Sequence, residues 1–233
     1  HFDHAGGNAA IKAATGARIV APGYESDRIP DIDLAVGEGD SVRLGKTGAK
    51  VMFTPGHTSG HIVYLLPTQR IAFVGDTIFA LGCGRLFEGT PQQMWTSLSR
   101  LAALPDETVV YCAHEYTQAN ARFALTIDPD NRALQAYAAE VDAKRARGEA
   151  TVPTTIGAEK AANPFLRAAD RSIRARLGLA DASDTEVLAE IRPPPDCSLR
   201  RCRAYYSSQP PGRLLPRSHA ITRPRTMRPA TTR

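Results

Sequence analysis

The first 114 residues alternate short apolar runs with turn residues, a pattern that predicts strands separated by loops. We predict strands over 17–21, Ser41–Leu44, 49–54, 61–66, 70–75 and 108–112. Helices are predicted over Asn8–Thr15, with Asn8 as the N-cap, and over 90–104, where Thr90 caps and Pro91 begins the helix. This region is therefore expected to be an α/β domain.

From residue 115 the strand pattern gives way to helical spacing. Leu134, Tyr137, Ala138 and Val141 recur at steps of three and four residues, which predicts a helix with one docked face. Helices are predicted over 116–125, 131–147, 158–162, Arg171–Leu177 and Asp184–Ile191. We expect residues 115–192 to form a small helical, substrate-binding domain.

Residues 193–233 hold eight Pro and nine Arg without a hydrophobic period, so we predict a disordered tail. The tail contributes +8 to the net charge of +5, which leaves residues 1–192 at −3. The basic balance therefore lies in the tail and gives no reason to expect a nucleic-acid or membrane partner.

The chain contains no long apolar segment and no basic start followed by an apolar core, so we predict neither a membrane span nor a signal peptide. Its four cysteines, Cys83, Cys112, Cys197 and Cys202, form no CxxC pair. This usage is typical of a reducing compartment, and we expect a cytoplasmic protein.

Histidine and aspartate side chains follow three of the predicted strands. His57 comes after the strand that ends in Pro55-Gly56, Asp76 closes IAFVGDT, and His114 closes TVVYCAHEYT. A fourth run, HFDH, brings His1, Asp3 and His4 into four residues. Open α/β sheets gather ligands at the carboxyl ends of their strands, so we expect these side chains to converge.

Imidazole and carboxylate donors without cysteine favour a catalytic zinc site over a closed structural one. Each residue taken alone has an ordinary interpretation, a structural histidine or a turn-forming aspartate. The four runs in this order favour the metal site. His61 is interpreted as a structural residue beside it, and His219 as part of the tail.

These runs carry a resemblance to a known family. HFDHAGG, TPGHTSGH, FVGDTIF and YCAHEYT resemble, in order, the metal-binding segments of glyoxalase II enzymes in the metallo-β-lactamase superfamily. GCGRLFEGT at 82–90 and NPFLR at 163–167 resemble that family in particular, and the resemblance covers residues 1–192. It implies a metallo-β-lactamase αββα sandwich over residues 1–114, followed by the helical domain.

The resemblance also implies the roles of individual residues. It makes His1 and His57 ligands of a first zinc ion, gives Asp3, His4 and His114 to a second, and has Asp76 bridge both. Asp3 and Asp76 are the implied catalytic residues, and iron or manganese could replace zinc. The implied substrate-binding residues are Arg85, Phe87, Tyr116 and Arg192, with Phe87 standing where the family often has tyrosine.

The implied reaction is the hydrolysis of S-(2-hydroxyacyl)glutathione, such as S-D-lactoylglutathione, by a zinc-bound hydroxide in methylglyoxal detoxification. A thiol of pKa about 8.5 leaves readily as a thiolate, so the reaction needs no strong general acid. We expect a monomer whose only partner is this substrate.

Both ends depart from the family pattern. The family motif THxHxDH starts one histidine before His1, so we expect a truncated chain that lacks the first strands of the sheet and has a weak first zinc site. After Arg192, three prolines replace a basic R-x-x-K-D ending. We hypothesise a frameshift near codon 193, which sequencing of the coding DNA would test.

Three alternatives stay open at this stage. The chain could be another hydrolase or dioxygenase of the same fold, such as a lactonase, a β-lactamase or a persulfide dioxygenase. It could be a nucleic-acid binder or nuclease that acts through the basic tail. It could also be an inactive remnant.

Overall fold

The computed structural model describes residues 1–192. The strands are β1 (Val20–Pro22), β2 (Leu34–Val36), β3 (Ser41–Leu44), β4 (Thr47–Phe53), β5 (Ile62–Leu66), β6 (Ile71–Gly75), β7 (Ile78–Phe79), β8 (Gly82–Cys83), β9 (Val109–Cys112) and β10 (Thr154–Thr155). The helices are α1 (Phe2–Ala5), α2 (Asn8–Thr15), α3 (Pro91–Ala102), α4 (Thr117–Ile127), α5 (Arg132–Ala146), α6 (Ile156–Ala162), α7 (Arg171–Leu177) and α8 (Asp184–Ile191). The predicted tail, with His219, Cys197 and Cys202, lies outside the described residues.

Six strands form one mixed sheet in the order β10-β9-β6-β5-β4-β3. Strands β4 and β6 are both antiparallel to β5, and β6 is parallel to β9. It follows that β4, β6 and β9 run in the same direction and end at the same edge of the sheet. This topology brings three distant segments of the chain to one rim.

The core lies between one face of this sheet and the helices. Its fully buried side chains include those of the sheet (Val63, Ala72, Val74, Val110), of α3 (Met94, Leu98, Leu101) and of α8 (Val187, Leu188). Burial of each Val, Leu or Met side chain in this set contributes roughly 1.5–3 kcal/mol. Strands β1 and β2 form a separate parallel pair, which the Tyr64 hydroxyl contacts by donating to the Val20 carbonyl.

A second buried cluster joins the helical region to the sheet region. Leu81, in the tight turn between β7 and β8, packs with alanines of α4, α5 and α6 and with Leu134. The predicted stripe of α5 is confirmed, because Leu134, Ala138 and Val141 are buried. Strand β10 pairs with β9, so the prediction that no strand follows residue 115 is wrong.

Most predicted elements agree with the structure, and the differences lie at their ends. Thr90 caps α3 in a capping box with Gln93, as predicted. Asn8 is the first residue of α2 rather than its N-cap; Gly7 holds that position and supplies no side-chain bond. Strand β1 begins later than predicted, at Val20. Among residues 1–192, no helix has the length and apolar composition that crossing a membrane requires.

The N-cap of α7 provides a test of the fold. Asp170 accepts hydrogen bonds from the backbone N–H groups of Ser172 and Ile173 and pairs with Arg167. Although partial burial opposes the change, the bonds from Ser172 and Arg167 lower the pKa of Asp170 to about 2. Asp170→Ala should lower the free energy of unfolding by about 1 kcal/mol at pH 7, measured by urea unfolding.

Because the native pKa of Asp170 is depressed, its contribution is present above the unfolded pKa and is lost as pH falls towards 2. The difference between the wild type and Asp170→Ala should therefore shrink in acid. Asp27→Ala, at an exposed aspartate, serves as the control. A difference that stays constant from pH 7 to pH 3 would contradict this account.

Candidate metal centre

Three loops at one edge of the sheet carry the predicted ligands. His57 follows β4, Asp76 follows β6 and His114 follows β9. The short helix α1 supplies the other candidates, His1, Asp3 and His4. The structure therefore brings together all six side chains that the sequence predicts to converge.

Asp76 lies at the middle of this group and is only 5% exposed. Its Oδ2 atom is 3.1 Å from Nε2 of His57 and 3.4 Å from Nε2 of His4. Its Oδ1 atom is 3.5 Å from Nε2 of His114. One carboxylate thus faces three imidazoles from different parts of the chain.

Two smaller groups surround this carboxylate. Asp3, His4 and His114 form the first, with ligand atoms within 4.8 Å of one another. The second contains His1 and His57, whose Nδ1 and Nε2 atoms are 3.1 Å apart. Both groups contact Asp76 through at least one histidine.

The position of one proton follows from a hydrogen bond. Nδ1 of His57 is 2.9 Å from the Arg85 carbonyl oxygen, which can only accept, so Nδ1 carries the proton. In the neutral ring Nε2 then presents a lone pair to Asp76 and His1. A second partner that orients a ligating histidine in this way is typical of metal sites.

The donor set fits a cation. Within residues 1–192, Oδ1 of Asp76 is buried and accepts no hydrogen bond. A buried carboxylate oxygen without a donor costs free energy unless a positive charge compensates it. Lone pairs of nitrogen and oxygen converging without sulfur suit the divalent metals that prefer such donors.

Electrostatics keeps this carboxylate ionised. Burial acts to raise the pKa of Asp76, but His57, His4 and His114 act in the opposite direction when they are protonated, and the pKa lies below its ordinary value. Asp76 is therefore a carboxylate at neutral pH, which is the form that a metal ion binds.

His61 lies directly behind Asp76, as the sequence predicts. Its Nε2 atom accepts the Asp76 N–H at 3.1 Å, and its Nδ1 atom is 3.0 Å from the hydroxyls of Thr54 and Thr77. Burial, with a smaller contribution from His57, lowers the pKa of His61 to about 4. The neutral ring holds the Asp76 backbone and is not directed at the ligand cluster.

Two acidic residues that sequence analysis missed anchor the loop after His57. Glu25 accepts the Gly60 N–H at 2.6 Å, and Glu88 accepts the Ser59 N–H at 2.8 Å. Arg28 pairs with both carboxylates. These residues lie 29 to 35 positions from the loop, so no local pattern could identify them.

Two predicted substrate residues lie beside the ligand cluster. The Phe87 ring is 50% exposed and its centroid is 5.3 Å from that of His57. The Tyr116 ring stacks on His114 at a centroid distance of 5.0 Å. A cavity of about 590 Å³ opens beside the centre, lined by His57, Asp76 and apolar residues that include Ile29.

Arg85 and Arg192, the other two predicted substrate residues, both take part in hydrogen bonds that involve backbone carbonyls near the site. Arg85 is partly exposed, and its carbonyl orients His57. Arg192 is only 4% exposed and lies over the Phe165 ring; its guanidinium donates to the carbonyls of Gly84 and Cys83. Arg192 therefore supports the loop after Asp76, and its role towards a substrate stays a prediction.

Two family models match the chain. Residues 1–114 match the model described as "Metallo-beta-lactamase superfamily", and residues 115–196 match "Hydroxyacylglutathione hydrolase C-terminus". The solved structure of ETHE1 from Myxococcus xanthus is 26% identical, with a TM-score of 0.55 over 89% of this chain and 70% of that one. A metallo-beta-lactamase from Staphylococcus aureus, at 17% identity and TM-score 0.52 over 96% of this chain and 56% of that one, shares the fold.

Curated relatives are more similar in sequence. The hydroxyacylglutathione hydrolase of Maricaulis maris is 69% identical over 192 residues, which are 82% of this chain and 75% of the relative. The enzyme of the same name from Methylococcus capsulatus is 55% identical over the same shares. The predicted fold is confirmed, and the chain belongs to the hydroxyacylglutathione hydrolase family of the metallo-β-lactamase superfamily.

Proposed function

We propose that this chain hydrolyses S-(2-hydroxyacyl)glutathione thioesters, such as S-D-lactoylglutathione, at a pair of zinc ions. The observation that carries the proposal is the buried Asp76 carboxylate, which faces imidazoles of both ligand groups and has an oxygen that no donor among residues 1–192 reaches. The names of the curated relatives support the substrate class.

The ligand groups suggest how two ions would be held. His1 and His57 would bind one ion, and Asp3, His4 and His114 the other, while Asp76 would contact both. Nitrogen and oxygen donors favour zinc, and iron or manganese could replace it. When bound, such a pair supplies the Lewis acidity that activates water and polarises a thioester carbonyl.

The protein residues position the reacting groups. Asp76 stays ionised in a buried setting, where electrostatic interactions are strong. Asp3 is 59% exposed at the mouth of the centre, 3.4 Å from His114, and can accept a proton from an incoming water. The glutathione thiolate leaves without protonation, so no further acid is required.

The surroundings suit a thioester of glutathione. The Arg85 guanidinium can bind a glutathione carboxylate with two hydrogen bonds, and the Tyr116 hydroxyl can contact the peptide. Phe87 offers an apolar face beside His57, without the hydroxyl that tyrosine would add. We further propose a monomeric, cytoplasmic enzyme that acts in methylglyoxal detoxification and has no nucleic-acid or membrane partner.

One prediction of this proposal concerns the central carboxylate. Zinc should stabilise the wild-type chain by about 2.7 kcal/mol when its free concentration is 100 times Kd. Asp76→Asn should abolish this stabilisation and lower kcat/KM for S-D-lactoylglutathione by about 100- to 1,000-fold, because a preorganised charge is lost. Zinc content by mass spectrometry, thermal unfolding and thiol release measure these effects.

Asp27→Asn, at an exposed aspartate, provides the matched control and should behave as the wild type. The assignment of Asp76 fails if Asp76→Asn retains two zinc ions and full activity. If the wild type binds zinc but does not cleave the thioester, the metal-centre assignment stands and the proposed substrate is wrong.

A separate prediction distinguishes the role of the Arg85 side chain from that of its backbone carbonyl. Arg85→Ala should raise KM for the glutathione thioester about tenfold, because one charged hydrogen-bonding group, worth about 1.5 kcal/mol, is lost. Zinc content should not change, since the carbonyl that orients His57 remains. Steady-state kinetics and metal analysis measure the two effects.

Arg43→Ala, on the exposed face of β3, is the control. A lactoyl thioester of cysteamine, which lacks the glutathione carboxylates, should be hydrolysed equally by the wild type and Arg85→Ala. An unchanged KM for the glutathione thioester would remove Arg85 from the substrate site.

A further inference from the structure

A buried polar cluster joins the helical region to the turn between β7 and β8. Glu159 on α6 is fully buried. Its Oε2 atom accepts the Leu81 N–H and the Asn163 side-chain amide, each at 2.8 Å, and its Oε1 atom accepts the Thr154 hydroxyl at 2.7 Å. The hydrolysis proposed above uses none of these residues, although Asn163 begins the NPFLR segment.

The turn held by this cluster has a constrained backbone. Leu81 has a φ of +59°, in the left-handed region that residues with a β-carbon rarely adopt. Such a conformation persists only where surrounding contacts enforce it. Besides Glu159, the Asn163 amide donates to the Gly82 carbonyl at 3.0 Å, and Asn120 donates to the Ala80 carbonyl at 3.0 Å.

The same turn leads directly into groups that orient two proposed metal ligands. Gly84 lies so close to Asp76 that a β-carbon at position 84 would fall 2.0 Å from the Asp76 carbonyl oxygen. The next residue, Arg85, provides the carbonyl that orients His57. A shift of the turn would therefore disturb both Asp76 and His57.

We propose that Glu159 is a positioning residue: through the Leu81 turn it sets the orientation of Asp76 and His57, so that metal affinity depends on the docking of the helical region. This inference rests on the proposed function for its metal centre. It also assigns a physical role to the NPFLR segment, because the Asn163 side-chain amide donates to both the Glu159 carboxylate and the Gly82 carbonyl of the turn.

The charge of Glu159 gives the proposal a distinctive signature. Burial raises the pKa of Glu159 to about 7, with hydrogen bonds from Thr154, Leu81 and Asn163 opposing the change. The titratable groups that face it are the Tyr137 hydroxyl on α5 and the Cys112 thiol on β9. Above pH 7 the carboxylate is a charged acceptor for the turn, and below it a weaker, neutral one.

The test compares Glu159→Gln and Glu159→Leu with the wild type, in the full chain. Folding is checked by circular dichroism and thermal unfolding. Affinity for Co²⁺ or Zn²⁺ is measured by competition with a chelator, and the visible spectrum of the Co²⁺ form reports the ligand geometry. Glu140→Gln, at an exposed glutamate of α5 paired with Lys144, is the matched control.

Glu159→Leu should lower metal affinity more than tenfold and change the Co²⁺ spectrum, and kcat should fall while KM stays constant. Glu159→Gln should keep the wild-type spectrum. Its affinity should be about fivefold weaker than that of the wild type at pH 8.5, the loss expected for a charged acceptor made neutral, and equal to it at pH 5.5. Protonation of the histidine ligands lowers both affinities at low pH to the same extent, so its effect cancels in the ratio of the variant to the wild type.

A folded Glu159→Leu protein with wild-type affinity and spectrum would overturn the proposal. If Glu159→Leu does not fold, the Glu159→Gln series decides, and an affinity equal to that of the wild type at pH 8.5 refutes the proposal. These readouts need no thioester. Failure of the wild type to cleave S-D-lactoylglutathione, with the predicted affinities intact, would refute the substrate and leave the role of Glu159 standing.

Discussion

The buried carboxylate of Asp76 is the constraint on which the rest of the site depends. It faces the Nε2 atoms of three imidazoles, and burial leaves one of its oxygens without a donor within the described residues. Such a group is unfavourable unless cations compensate it. The parallel direction of β4, β6 and β9 is what brings these donors to one place.

The sequence predicted well those features that depend on local patterns. Helices α2, α7 and α8 and strand β3 have the predicted bounds, because caps, spacing and alternation are encoded within a few residues. His57, Asp76 and His114 could be identified because each follows a strand, and strands that run in the same direction end at one rim. Pattern and topology together therefore predicted the meeting of the ligand candidates.

Contacts between distant segments could not be predicted. Glu25, Glu159 and Asn163 are polar residues that each bond to a backbone group 35 to 84 positions away, and their sequence neighbours give no sign of burial. Likewise, no sequence pattern indicated that Arg192 lies against Phe165 and donates to backbone carbonyls. Strand β10 and helix α1 are too short to produce a period; pairing with β9 defines β10, and α1 is a single helical turn.

X-ray absorption spectroscopy of the zinc-loaded chain tests the central claim most directly. If Asp76 bridges two ions, the spectrum should contain nitrogen and oxygen ligands at about 2.0–2.2 Å and a metal–metal distance of about 3.5–4 Å. The metal–metal component should disappear in Asp76→Asn. A single-ion spectrum, or a sulfur shell at about 2.3 Å, would contradict the account.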